Sequence, residues 1–255
     1  MPSARHQSSL DLAARLQVLA RRCRVVSRRT LSPSISEVVL EGDAVALAGV
    51  PGNDVMLLVD EDGQATRRRF SVRAVDADAD TFTLWMATNH EGPGSSWARG
   101  VDAGAEIDVV GPRGKIPLDA MADWHLFVGD VASLGSFYRL AQSIEAPGRA
   151  IFIVELDHPD DALTADFDEG LGVTGIFVDR DGRDYHDPAG LLSGLSAFAF
   201  PPDEGHAYLF GEFSVMRVVK AALMDRGLTS ERISLKAFYR VGRANGANGE
   251  PPKEE

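Results

Sequence analysis

Four arginines fall within the seven residues Arg67-Arg68-Arg69-Phe70-Ser71-Val72-Arg73, in a chain whose formal net charge is −12. On an extended chain alternate side chains share a face. Arg68 and Phe70 therefore point one way, while Ser71 points the other way with Arg67 and Arg69. A guanidinium fork suits a phosphate. An aromatic ring lies flat against a conjugated ring, and a serine hydroxyl bonds a ring nitrogen or oxygen. Arg68, Phe70 and Ser71 together fit a flavin with a phosphate tail, and Arg67 and Arg69 are left to solvent. The plainer alternative is a polar edge strand carrying one inward phenylalanine.

Two further kinds of stretch carry chemistry. In "NHEGPGSSWARG" (89–100), Gly92, Pro93 and Gly94 make a turn, and Ser95, Ser96 and Trp97 open a helix. Backbone N–H groups at a helix start, with serine hydroxyls beside them, form an anion site fit for a pyrophosphate. Alternatively it is a capped surface helix with Trp97 in the core. In "LFVGDVASLGSFYRL" an apolar run ends at Gly129-Asp130 and small residues, including Ser133, lead into a helix. An open α/β sheet binds nucleotides at such a turn. "FGEFSVMRVV" repeats the pattern with Gly211-Glu212. Glu212 either faces a nicotinamide ring or is simply an acid favoured by the helix dipole.

The elements that must position these groups change character along the chain. Short runs rich in Val, Leu, Phe and Thr, from about Arg24 to Ile116, are separated by "PGND" (51–54), "EDGQ" (61–64) and "DADADT" (76–81). About six such strands predict a small antiparallel β barrel or sandwich, of which the barrel is the expectation. Beyond Leu118, apolar runs at 124–130, 149–157 and 206–212 alternate with helical stretches, and "ISLKAFYRVG" closes the series. That pattern predicts a mostly parallel α/β domain. Upstream, Leu12, Leu16, Leu19 and Cys23 fall on one face of a predicted short helix that packs on its own protein. The division expected is an N-terminal extension over 1–23, a flavin-binding barrel over 24–118, a nucleotide-binding α/β domain over 119–243 and a disordered tail over 244–255.

Composition removes several function classes. A pI near 4.9 argues against nucleic acid as partner. The single cysteine, Cys23, excludes an internal disulfide and a cysteine-held cluster, and fits a cytoplasmic protein. No apolar run approaches the ~20 residues that span a bilayer. The six histidines are scattered, with only His90 inside a motif, and no metal set or Ser-His-Asp order is legible.

Taken in order, these motifs resemble the siderophore-interacting protein family, FAD-dependent ferric-siderophore reductases within the ferredoxin-reductase-like superfamily. The family's Arg-x-Tyr-(Ser/Thr)-x-Arg is similar to Arg68 through Arg73, with Phe70 for Tyr. Its His-x-Gly-Pro-x-Ser-x-Trp-Ala resembles His90 through Ala98. "GPRG" stands at Gly111 to Gly114, and the closing aromatic-Trp-Arg-x-Gly is matched by Phe238-Tyr239-Arg240-Val241-Gly242. The family's Glu-Thr-Ala-Leu-Pro after Gly-Asp is here Val131-Ala132-Ser133-Leu134-Gly135, without the Thr and Pro.

The resemblance implies FAD held by Arg68, Phe70, Ser71, Val72, Ala87, His90, Gly92, Gly94, Ser95, Ser96, Trp97 and Tyr239. It implies a nicotinamide nucleotide at Gly129, Asp130, Ser133, Glu155, Gly211 and Glu212. A ferric siderophore, usually anionic, would meet Arg240, Lys236, Arg113 and Lys115. The cofactor would carry the chemistry, so no protein group is expected to be catalytic. Glu155 and Asp157 are acids where a 2′-phosphate would sit, which favours NADH over NADPH; a ferredoxin is the other possible donor. The rival readings are a general flavin reductase or electron-transfer flavoprotein, and a flavin- or siderophore-binding protein that has lost nicotinamide use.

Overall fold

The computed structural model describes residues 4–61, 64–114 and 116–240. The tail expected to be disordered, and Lys115, lie outside these residues. The chain divides into two compact units, 1–118 with 138–140, and the remainder.

The first unit opens with helix α1 (Ala4–Leu16), then strands β1 (Leu19–Ser32) and β2 (Ile35–Glu41) and the short helix α2 (Ala44–Ala48). Strands β3 (Asp54–Glu61), β4 (Gln64–Asp76) and β5 (Thr81–Ala87) follow, then helix α3 (Pro93–Gly100) and strand β6 (Glu106–Arg113). The strands close a barrel in the order β1-β2-β5-β4-β3-β6, antiparallel throughout. Alternation explains which side chains fill it. In β5, Phe82, Leu84 and Met86 turn inward and are fully buried, while Thr81, Thr83 and Trp85 lie on the other face. Val38, Leu40, Val55, Leu57, Val72 and Val109 complete the interior. Burying each such side chain favours folding by roughly 2 kcal/mol.

The N-terminal expectation needs correcting. The helix ends at Leu16, Gln17 turns the backbone left-handed (φ 54°), and Leu19 already begins a strand. Leu19 and Cys23 therefore belong to β1, which runs through the expected boundary at residue 23. The period-two run Arg22-Cys23-Arg24-Val25 outweighs the helical spacing: Cys23 and Val25 enter the barrel interior and the arginines stay out. Leu12 and Ala13 of α1 pack on Ala20 and Val110, on the outer wall of the barrel.

The second unit contains β7 (Trp124–Asp130), a 3-10 turn over Val131–Ser133, helix α4 (Leu134–Ala141) apart from its residues 138–140, and β8 (Arg149–Leu156). It continues with β9 (Gly172–Asp179), α5 (Ala189–Ala197), β10 (Gly205–Glu212), α6 (Phe213–Asp225) and β11 (Ile233–Tyr239). All its strand pairs are parallel, in the order β11-β10-β7-β8-β9. Trp124, Leu126 and Val128 of β7 meet Leu191 and Leu195 of α5 and Val215, Val219 and Leu223 of α6 on one face. On the other face Phe127 stacks with Phe152 and Tyr208 and meets Phe137 of α4. Both faces are covered, so these strands read as continuous apolar runs. The order reverses at β7, so the crevice outside the carboxyl ends of β7 and β10 is the switch point where such sheets take ligands.

Candidate functional site

In the first unit, β4 and the start of α3 converge. Arg68 and Phe70 lie on one face of β4, as their spacing requires. A Cβ placed on Gly94 would stand 2.9 Å from Phe70 Cζ and 3.4 Å from Arg68 Cγ. Only a residue without a side chain lets the first turn of α3 come so close to this strand. Gly92 precedes the helix, Pro93 is its first residue, no side chain caps its first turn, and the Ser96 N–H returns to the Gly92 carbonyl at 2.9 Å. Such an uncapped start is an anion site. The Ser95 hydroxyl donates to the Ala87 carbonyl at 2.8 Å and ties α3 to the end of β5. Arg99 donates to the Thr88 and His90 carbonyls and to the Ser96 hydroxyl, closing the 88–99 loop on itself. Trp97 packs half-buried against the barrel core.

The Arg68 stem, the Phe70 ring and an open helix start thus meet at Gly94, where a Cβ would strike the ring, while the Arg68 guanidinium donates to the Arg67 carbonyl at 3.0 Å. This arrangement fits a group combining a conjugated ring system with a diphosphate. Val72 contributes differently: its side chain is in the core and its N–H donates to the Asn53 carbonyl at 3.1 Å.

Ser71 and Arg69 lie on the opposite face of β4 from Phe70. There Asp54, fully buried on β3, accepts the Ser71 hydroxyl at 2.8 Å and pairs with Arg69 Nε at 2.8 Å. Arg69 is therefore not left to solvent, as expected from sequence, because a buried carboxylate needs a cation. Arg67 is exposed and reaches the Ser8 hydroxyl at 3.3 Å. Asp54 was missed in the sequence. An acid opening an apolar strand after "PGN" is the signal, since such a position is otherwise costly to bury.

In the second unit, Asp130, Gly211 and Tyr239 meet at the carboxyl ends of β7, β10 and β11. Tyr239 donates to Asp130 Oδ2 at 2.7 Å. Gly211 has φ 155°, and a Cβ there would lie 2.9 Å from that same oxygen. Burial pushes Asp130 up to about 6, against the pull of the Tyr239 hydroxyl and Arg180. Burial, then the Asp130 charge, pushes the Tyr239 phenol up as well. Ser133 donates to the Phe210 carbonyl at 2.6 Å and is fully buried. A Cβ on Gly129 would collide with that same carbonyl. Glu212 is the N-cap of α6: its Oε2 accepts from Ser214 N at 2.6 Å and Val215 N at 3.0 Å.

Glu155 is buried and pairs with Arg180 at 2.7 Å and Arg183 at 3.1 Å, while Arg180 also holds Asp157 at 2.6 Å and stacks on Tyr185. Burial raises the Glu155 pKa and Arg180 opposes it. These two arginines were not anticipated, because the carboxylates that recruit them lie more than twenty residues away, and Tyr185 comes with Arg180.

The cations expected for the substrate are dispersed. Arg240 is exposed, with its guanidinium 5.0 Å from the Phe213 ring centroid. Lys236 is buried, its ammonium over Phe210 and Phe238. Arg113 ends β6 in the first unit, half-buried. Among the described residues no His, Cys, Asp and Glu cluster could hold a metal ion, and no helix is long and apolar enough to cross a membrane.

A closed antiparallel barrel followed by a five-stranded parallel sheet is the architecture of ferredoxin reductases. Within that class, residues 52–116 match the siderophore-interacting FAD-binding domain and residues 122–242 match the siderophore-interacting protein domain. The chain belongs to the siderophore-interacting protein family. A siderophore utilization protein from T. fusca aligns with a TM-score of 0.76 at 22% identity, over 91% of this chain and 96% of that one. An uncharacterized protein of Mycobacterium tuberculosis is 28% identical over 189 residues, 69% of this chain and 65% of its own length. The match thus spans just under two thirds of that relative. Ferric vibriobactin reductase of Vibrio cholerae is 26% identical over 95 residues, 37% of this chain and 35% of that protein.

Proposed function

We propose that the protein is an FAD-dependent oxidoreductase that passes electrons from a nicotinamide nucleotide to a ferric siderophore, releasing Fe(II). The observation that carries this reading is the convergence of Arg68 and Phe70 with the α3 start at Gly94. Arg68 and the first turn of α3 would hold the diphosphate, Phe70 would lie against the ring system, and Ser71 would meet its polar edge. When bound, FAD supplies the exchange between a two-electron donor and a one-electron acceptor. Reduction frees the metal because hard oxygen donors hold Fe(III) far better than Fe(II). Arg240 is the exposed cation that would meet an anionic chelate.

For the donor, the carboxyl edge of the parallel sheet carries Asp130, Glu155, Asp157 and Glu212 against Arg180 and Arg183. This acidic balance supports NADH over NADPH. Yet Arg180 bridges Glu155 and Asp157, which weakens the repulsion a 2′-phosphate would meet. A second reading has its own support. Ser133 donates into the sheet and Asp130 is engaged by Tyr239, so two groups expected at a nucleotide already have partners. On that reading the protein keeps FAD but takes electrons from a ferredoxin, or serves as a carrier.

An anaerobic visible spectrum separates these readings. Flavin bands that bleach with NADH and return with a ferric siderophore support the reductase. Bands that ignore both nucleotides but bleach with dithionite favour the ferredoxin-fed or carrier reading. A protein that takes up no FAD removes the proposal.

A further inference from the structure

The Asp54–Ser71–Arg69 cluster on β3 and β4 has a chemical direction that the proposed function does not use. Asp54 and Ser71 are direct partners in the antiparallel ladder, and Asp54 is also the register partner of Arg113 on β6. The Asp54 side chain is wholly shielded from solvent, with Arg69 Nε 2.8 Å from Oδ2. Oδ1 accepts the Ser71 hydroxyl at 2.8 Å. A hydroxyl has one hydrogen and two acceptor lone pairs, whereas a carboxylate paired with a guanidinium only accepts. The Ser71 hydrogen is thus committed to Asp54, and what Oγ offers to anything beside it is a lone pair.

We infer that Asp54 is a positioning residue that fixes the Ser71 hydroxyl as an acceptor toward the bound flavin and so sets the flavin's reduction potential. The inference rests on the reading that Ser71 meets the polar edge of FAD. Flavin reduction places hydrogen on a ring nitrogen that is a bare acceptor in the oxidised form. An acceptor facing that edge favours the hydrogen-bearing reduced form; a hydroxyl free to turn its hydrogen outward would favour the oxidised one. Asp54 thereby raises the potential through Ser71, opposing the lowering that its own negative charge exerts and that Arg69 offsets.

The test is the two-electron midpoint potential of the FAD-loaded full chain, measured by dye equilibration for wild type, Ser71→Ala, Asp54→Asn and the double variant. Ser71→Ala is expected to lower the potential by about the 29.6 mV that corresponds to a tenfold change in the oxidised-to-reduced equilibrium. Asp54→Asn presents an amide that can donate to Oγ. Its expected shift is more negative by a similar amount in the Ser71 background than in the Ser71→Ala background. Equal shifts in both backgrounds would show a purely electrostatic Asp54 and overturn the inference. If Asp54→Asn does not fold, Asp54→Ser replaces it in both backgrounds, with the same difference between backgrounds expected and equal shifts again overturning the inference; identical potentials for wild type and Ser71→Ala overturn it as well. A wild-type chain that binds no FAD fails the proposed function instead, so the two failures are distinguishable.

Discussion

Helix α3 offers a paired perturbation, because it carries two glycines in opposite surroundings. A Cβ at Gly94 would stand 2.9 Å from Phe70 Cζ and 3.4 Å from Arg68 Cγ, whereas one at Gly100 would meet nothing within 4 Å. Gly100→Ala should therefore behave as an exposed helical substitution, neutral or stabilising by up to about 1 kcal/mol. Gly94→Ala forces the phenylalanine ring or the arginine stem to move. Forcing an extra methyl into a well-packed place costs about 1–3 kcal/mol. If that strain is relieved by displacing Phe70 and Arg68, it appears as lost FAD affinity of about 5-fold to 100-fold, since each 1.4 kcal/mol is tenfold. The assay is FAD titration by flavin fluorescence, with thermal unfolding of the flavin-free protein run in parallel. Gly94→Ala with wild-type affinity and stability would refute the argument that this glycine shapes the cradle. An equal loss in Gly100→Ala would refute the assignment to local contact.

Three further predictions address other parts of the molecule. Burial, then the Asp80 and Asp43 charges, pushes the Cys23 thiol up to about 12, so it should ignore a disulfide reagent at pH 8 until denaturant is added; rapid labelling of the folded protein would contradict its burial in the barrel. Burial and the nearby His206 lower His125 from 6.5 to about 4. The unfolded chain then takes up the proton first as pH falls, and stability is lost between pH 6.5 and about 4, by about 3 kcal/mol at the lower end. Urea unfolding at pH 7 and pH 4.5 checks this, and His125→Gln should flatten the profile; an unchanged slope in that variant would contradict it. Arg180→Ala strands the buried Glu155 beside Arg183 alone and removes the Asp157 partner. The expected loss is about 3–5 kcal/mol, with Arg180→Lys recovering part, because one ammonium cannot reproduce the fork; a melting temperature unchanged in the alanine variant would argue against it.

How much was legible in the sequence depends on whether the signal was local. Strand β5 announces its buried face through Phe82, Leu84 and Met86, and β7 and β10 announce burial on both faces through unbroken apolar runs. The same locality misled at the N-terminus, where Leu12, Leu16, Leu19 and Cys23 satisfy a helical period across a segment that also alternates as a strand. A left-handed Gln17 ends the helix, and nothing in the residue type signals it. At the site, the motifs carrying Arg68, Phe70 and Gly94 were readable one by one. Their convergence was not, because residues 70 and 94 meet only once β4 pairs with β5 and α3 folds back beside them. The commitments of polar groups were least legible. Ser71 to Asp54, Arg69 to Asp54, Tyr239 to Asp130 and Arg180 to Glu155 are all set by which strands become neighbours.

The central claim is that the β4–α3 cradle holds FAD. Its most direct test is an equilibrium titration of the flavin-stripped protein with FAD, followed by gel filtration and a visible spectrum of the protein peak. One FAD per chain, with flavin bands travelling with the protein and weakened in Arg68→Gln, is the result expected. No saturable uptake, or uptake indifferent to both Arg68→Gln and Gly94→Ala, would contradict it.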